Sequence, residues 1–288
     1  MAGDGSRDRN GRLITFAVVL AGLFATSYSL GERLPGHDHG DDTASDSGHD
    51  HSGMDHSMPV EPDLPGGIDD GYRLVESLDA ADGATRQFHL ADGNGERVDE
   101  FDLVHGALLH VVGVRPDLSD FFHVHPAIGA DGSFEVTLPA EGAWHVVFES
   151  TPASNDGTAV VVSTDLTDGT INEPVALPAP VTTASVVGAD GTELVVTLRR
   201  TASGGLEFLV ADATGTPVEG LEAYLGQSAH LIALRSSDLA YAHLHPKSEV
   251  GDPTIAFGGV LPAGGTYRMF LQFGWAGSTV TVAFTLAT

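Results

Sequence analysis

The chain has 288 residues, no cysteine, a single lysine (Lys247) and a formal net charge of −27. That length accommodates two domains and a tail, while the missing thiols exclude disulfides, thiolate metal sites and the blue-copper centre, which needs a Cys ligand. So acidic a surface argues against a nucleic-acid partner, whose phosphates call for Lys and Arg; it fits solubility or a salt-adapted or GC-rich genome first, and concentration of cations near the protein as the alternative.

Residues 1–12 carry Arg7, Arg9 and Arg12 and read as a cytoplasmic N-terminus. The apolar run that follows, residues 13–31, fits a single transmembrane helix at the short end of what spans a bilayer. Its basic flank places the remainder of the chain outside. A cleaved signal peptide ending near Ala25-Thr26-Ser27 is the alternative, and it would make the protein secreted. Residues 32–70 are poor in apolar side chains and read as a disordered segment. Within it His37, His39, His49, His51 and His56, with Met54 and Met58, form a His-rich tract of the metal-binding kind.

From residue 71 onward the chain breaks into short apolar runs separated by Gly, Asp, Asn and Pro, the pattern of an all-β sandwich. Two such domains are expected, at 71–165 and 181–288, joined by a linker at 166–180 that holds Pro174, Pro178 and Pro180. They are copies of one unit. His110 to Pro126 reads HVVGVRPDLSDFFHVHP, and His230 to Pro246 repeats its frame as HLIALRSSDLAYAHLHP, 120 positions later. Phe88, Asp92, Gly95, Gly106 and Arg115 fall in register with Phe208, Asp212, Gly215, Gly226 and Arg235.

The duplicated histidines carry the chemistry. Alternate residues of a strand share a face, so His123 and His125 point the same way, as do His243 and His245. If the preceding strand pairs so that His110 opposes His125, directly opposed Cβ atoms lie about 5 Å apart and three imidazoles converge. The same spacing gathers His230, His243 and His245. Two separate three-histidine sites are therefore expected. His105 and His145 are candidate fourth ligands in the first copy, and Met269 in the second. Imidazole suits copper or zinc better than calcium or magnesium, which prefer oxygen.

The phrases AHLIALR (229–235), DLAYAHLHP (238–246) and GTYRMFL (265–271) resemble membrane-anchored or secreted proteins of high-GC Gram-positive bacteria labelled as heavy-metal-binding. That resemblance, over residues 71–288, implies metal binding; the strand pattern itself reads as two Ig-like or cupredoxin-like sandwiches. The tail is similar in composition to tails of bacterial copper-handling proteins. Phe122-His123-Val124-His125 is similar to the strand of copper–zinc superoxide dismutases that presents two copper ligands. The dismutase's zinc loop and cysteine pair have no counterpart, so the likeness implies a copper-holding strand and not the activity. The expected function is capture, buffering or hand-over of copper, or alternatively zinc, at the cell surface, with a metal transporter as partner. A copper-dependent redox enzyme and a metal-free adhesion module are the competing expectations.

Overall fold

The computed structural model describes residues 68–69, 71–77, 84–104 and 106–288. The expected anchor at 13–31 and all seven tail ligands, His37, His39, His49, His51, Met54, His56 and Met58, lie outside the described residues, as does His105. Among the described residues no helix is long and apolar enough to cross a membrane.

Sixteen strands occur among the described residues, eight in each repeat. The first repeat comprises β1 (Ile68–Asp69), β2 (Tyr72–Glu76), β3 (Thr85–Ala91), β4 (Leu109–Val114), β5 (Phe121–Val124), β6 (Ser133–Thr137), β7 (Gly142–Ser150) and β8 (Val160–Asp168). The second comprises β9 (Thr183–Val187), β10 (Glu193–Arg200), β11 (Leu206–Asp212), β12 (His230–Arg235), β13 (Tyr241–Leu244), β14 (Thr254–Phe257), β15 (Thr266–Trp275) and β16 (Ser278–Ala287). The all-β expectation holds among the described residues. β1 is only two residues long, and β9 (TASVV) is exposed or half-buried throughout, so neither carries much apolar signal. β1 also moves the start of the first domain ahead of residue 71, and β8 extends it three residues past 165 into the expected linker.

Each repeat folds as two antiparallel four-stranded sheets. The first pairs β1-β2-β3-β6 with β5-β4-β7-β8, and the second pairs β14-β11-β10-β9 with β13-β12-β15-β16. Phe88, Phe134, Trp144 and Phe148 fill the space between the sheets of the first repeat. Phe208, Met269, Phe273 and Phe284 do so in the second.

A third apolar cluster joins the repeats. It combines Val112, Val114, Leu118 and Val147 of the first with Ile232, Leu234, Tyr241 and Phe270 of the second. The rings of Phe121 and Phe270 stack across this seam, 4.3 Å apart and within 7° of parallel. The sheet β5-β4-β7-β8 is therefore covered on both faces, and so is β13-β12-β15-β16. That explains why β4 (LHVVGV) is buried at every residue and β12 (HLIALR) at all but its last. A strand covered on both sides reads as a continuous apolar run, not as an alternation.

The two repeats solve the same packing problem with different volumes. Gly113 stands opposite Phe122 across β4–β5, where the second repeat sets Ala233 opposite Ala242. A methyl group on Gly113 would lie 2.0 Å from Phe122 Cε1. Gly113→Ala should therefore cost about 1–3 kcal/mol through overpacking. Combining it with Phe122→Ala, which copies the second repeat's pair, should cost less than the two single changes added together. Urea denaturation of the three variants measures both; simple additivity would show that the ring and the glycine are not matched.

Candidate metal centre

The register of the first hairpin is the one that the histidine spacing required. Val111 pairs with Val124 and Val112 with His123, which brings the rings of His110 and His125 to 4.2 Å. The second hairpin repeats it, with Leu231 opposite Leu244 and Ile232 opposite His243.

The face that carries these rings is the seam between repeats. On β4 and β12 the residues Leu109, Val111, Leu231 and Ala233 turn into the cores of their own repeats. His110 and His230 therefore share the opposite face with Val112 and Ile232, against the other repeat. The two expected three-histidine clusters thus meet at one seam. His110, His123, His230 and His243 bring one ring nitrogen each to within 4.8 Å of all the others, and this group can hold a metal ion. The arrangement has a local pseudo-two-fold character: the ring of His110 lies 4.9 Å from that of His243, and His230 lies 5.1 Å from His123. Such reciprocal contacts are the signature of an isologous interface, here built from two copies in one chain.

Each of the four rings has its second nitrogen held by an acceptor, as metal-binding histidines require. His123 Nδ1 lies 3.0 Å from Gln272 Oε1. The Gln272 amide is oriented by its Nε2, which donates to Thr281 Oγ1 at 3.2 Å. His243 Nδ1 donates to Glu149 Oε2 at 2.9 Å, and Tyr241 donates its hydroxyl to the same oxygen at 2.9 Å. Glu149 on β7 and Gln272 on β15 occupy equivalent places in the two repeats. His230 Nε2 donates to the Tyr224 carbonyl at 3.1 Å, and His110 Nε2 faces the equivalent Val104 carbonyl at 3.4 Å. These two carbonyls belong to turns that need a left-handed glycine, Gly106 (φ 83°) and Gly226 (φ 82°). The recurrence of those two glycines in the sequence thus has a purpose: each turn aims a carbonyl at a ligand ring.

With the outer nitrogens protonated, the inner ones are lone-pair donors: Nδ1 of His110 and His230, Nε2 of His123 and His243. His110 Nδ1 and His123 Nε2 are buried without a hydrogen-bond partner. His230 Nδ1 and His243 Nε2 face each other at 3.0 Å, a contact between two lone pairs unless a cation or proton sits between them. Tetrahedral imidazole ligation at about 2.0–2.1 Å sets nitrogens roughly 3.3 Å apart, so the observed set needs only small ring movements to close. Burial favours the neutral form of the first repeat's rings. It holds His110 below its ordinary pKa despite the opposing pull of the Glu149 charge and the Val104 carbonyl. It pushes His123 well below, with the neighbouring histidines adding to the effect, and takes His125 down to about 3.

The remaining sequence candidates fall elsewhere. His125 and His245 are half-buried and flank the group, at 4.2 Å from His110 and 4.4 Å from His243 between ring centroids. His145 shares the seam face of β7 with Glu149 but sits four residues away, where its Nδ1 donates to Asp165 at 2.8 Å. Met269 is fully buried in the second repeat's own core, because the strand alternation turns it from the face that bears Gln272 and His230. His145 and Met269 are thus not part of the four-histidine group. Glu149 and Gln272 were missed: a lone Glu and a lone Gln in apolar strands carry no motif. The available signal was their matching place in the two copies. Arg115 and Arg235 serve their own repeats. Arg115 stacks 4.1 Å over Trp144 and donates to the Glu141 carbonyl at 2.6 Å, and Arg235 pairs with Asp238 at 2.6 Å.

A family described as Domain of unknown function (DUF8832) matches the chain twice, over residues 68–165 and 185–288. These segments together make up well over half of the sequence, so the chain belongs to that family, and each repeat is one copy of its domain. No curated protein sequence matches the chain. Among solved structures, a tetra-tandem repeat from the extending region of a large adhesion protein is 14% identical, covering 74% of this chain and 48% of that one at a TM-score of 0.23. The chicken CNTN1 FN1-FN3 domains are 7% identical, covering 71% and 63%, at 0.21. Invasin, a bacterial integrin-binding protein, is 18% identical, covering 75% and 39%, at 0.18. The chain spans less than two thirds of the length of each, and likenesses at such scores carry no functional argument.

Proposed function

We propose that this family member is an extracytoplasmic metal-binding protein, held at the membrane by its N-terminal segment, that captures, buffers or hands over copper at the cell surface. Zinc is the alternative ion. The observation that carries the reading is the group of four imidazoles at the seam, each with one nitrogen facing inward and the other held by a fixed acceptor. Four neutral imidazoles are a donor set for copper or zinc and a poor one for calcium or magnesium. A closed set of four protein ligands favours holding an ion over turning over a substrate, since catalytic metal sites keep a position open. The His-rich tail would raise the local concentration of ions, and a metal transporter would be the receiving partner.

The test is direct. Titration of the full chain with Cu²⁺ and with Zn²⁺, followed by calorimetry and by elemental analysis after desalting, should find one tightly held ion, distinct from weaker binding by the tail. Two equivalent tight ions would restore a separate site in each repeat, and none would remove metal binding by the folded part altogether.

A further inference from the structure

The four ligands leave unexplained how an ion reaches them. His110 and His123 are each 4% exposed, His230 is fully buried and the His243 side chain is 1% exposed. His125, by contrast, is half-buried, and its ring packs against two members of the group, 4.2 Å from His110 and 5.2 Å from His123 between centroids. His110 and His123 are themselves 5.7 Å apart. This trio is as closely spaced as the four-histidine group, in which His110–His230 is 6.2 Å and His123–His243 is 5.4 Å. Three nitrogens of the trio, His110 Nδ1, His123 Nε2 and His125 Nε2, are buried with no hydrogen-bond partner. A buried acceptor without a partner is costly and calls for an explanation. His125 is not needed by the four-histidine group, so its buried Nε2 is the one that the group leaves unaccounted for.

We propose that His110, His123 and His125 form an entry site that overlaps the buried one, and that the ion moves inward by ligand exchange. The ion first binds the three rings of the first repeat, with water completing its shell. It then keeps His110 and His123 while the bond to His125 breaks and bonds to His230 and His243 form, releasing the water. No step changes the oxidation state of the ion, and no ligand charge changes. Release follows the same path in reverse. His125 is on this account an exchange residue: it lowers the barrier in both directions without strengthening the final complex. The inference rests on the metal-binding reading above.

The experiment is stopped-flow mixing of the full chain with Cu²⁺ in a weakly chelating buffer, read by quenching of tryptophan fluorescence, with release measured by a strong chelator. His125→Ala and His125→Gln should both slow uptake and release by about tenfold or more while leaving the equilibrium affinity within about threefold of the parent. The second variant retains polarity and bulk should alanine perturb folding. Unchanged rates in both variants would overturn the proposal, because His125 would then be packing only. A large loss of affinity would overturn it equally, because His125 would then be a ligand of the final site. Failure of the parent chain itself to take up Cu²⁺ is a different result, one that removes the metal-binding reading on which this rests.

Discussion

His123→Ala combined with His243→Ala is expected to weaken binding of the tight ion by at least about a thousandfold. Structural metal sites draw about 10–16 kcal/mol from a full ligand set, and this pair of changes removes one ligand from each repeat. It leaves His110 and His230, one from each repeat, and two imidazoles do not complete a shell. Two controls give the prediction its edge. His145→Ala removes a ring that pairs with Asp165, and Met269→Leu conserves volume in the core of the second repeat, so neither should change affinity by more than about threefold. Competition against a chelator of known affinity reads all three. Retained tight binding in the double variant, or an equal loss in His145→Ala, would place the ion elsewhere.

The second large effect is acid sensitivity of the metal-free chain. His110, His123 and His125 all have pKa values lowered in the folded state, chiefly by burial. In the unfolded chain the same rings take up protons near pH 6.5. Below that pH the unfolded state binds more protons than the folded one, so stability is complete above about pH 6.5 and falls as the solution is acidified. For His125 the loss continues down to about pH 3. Each fully buried ring contributes a slope of up to about 1.4 kcal/mol per pH unit within its window, with less from the half-buried His125. Thermal or urea unfolding at pH 7 and pH 4.5, with and without bound metal, measures this. The metal-loaded chain should lose more over the same interval, because protons compete with the ion for the same nitrogens. A flat profile for the metal-free chain would mean that the rings are open to water, and hence that the seam does not close.

The histidine hairpins show how far one chain's letters reach. An H-x-H spacing and a His thirteen residues upstream were enough to deduce a register that the strand pairing reproduces. His145 and Met269 fall outside the group for different reasons: His145 shares the ligand face but lies four residues along β7 from Glu149, a distance that alternation does not reveal, whereas Met269 stands on the opposite, core face of β15. The clue to the seam was also present. β4 and β12 are apolar on both faces, and only the inner face of a sandwich needs to be.

What the sequence determined by itself is local and periodic: two copies of one all-β unit, their strands, their hairpin register, and the side of each sheet on which the histidines stand. These follow from interactions between residues close along the chain, or from a match between copies. What only the tertiary structure decided is the partner of that side. The histidine-bearing sheets lie against each other, so that half of the ligands and both side chains that hold ligand rings, Glu149 and Gln272, come from opposite repeats. Burial of apolar surface is non-directional. It demands that the faces of β4 and β12 be covered without specifying by what, and that choice emerges only when the two repeats pack.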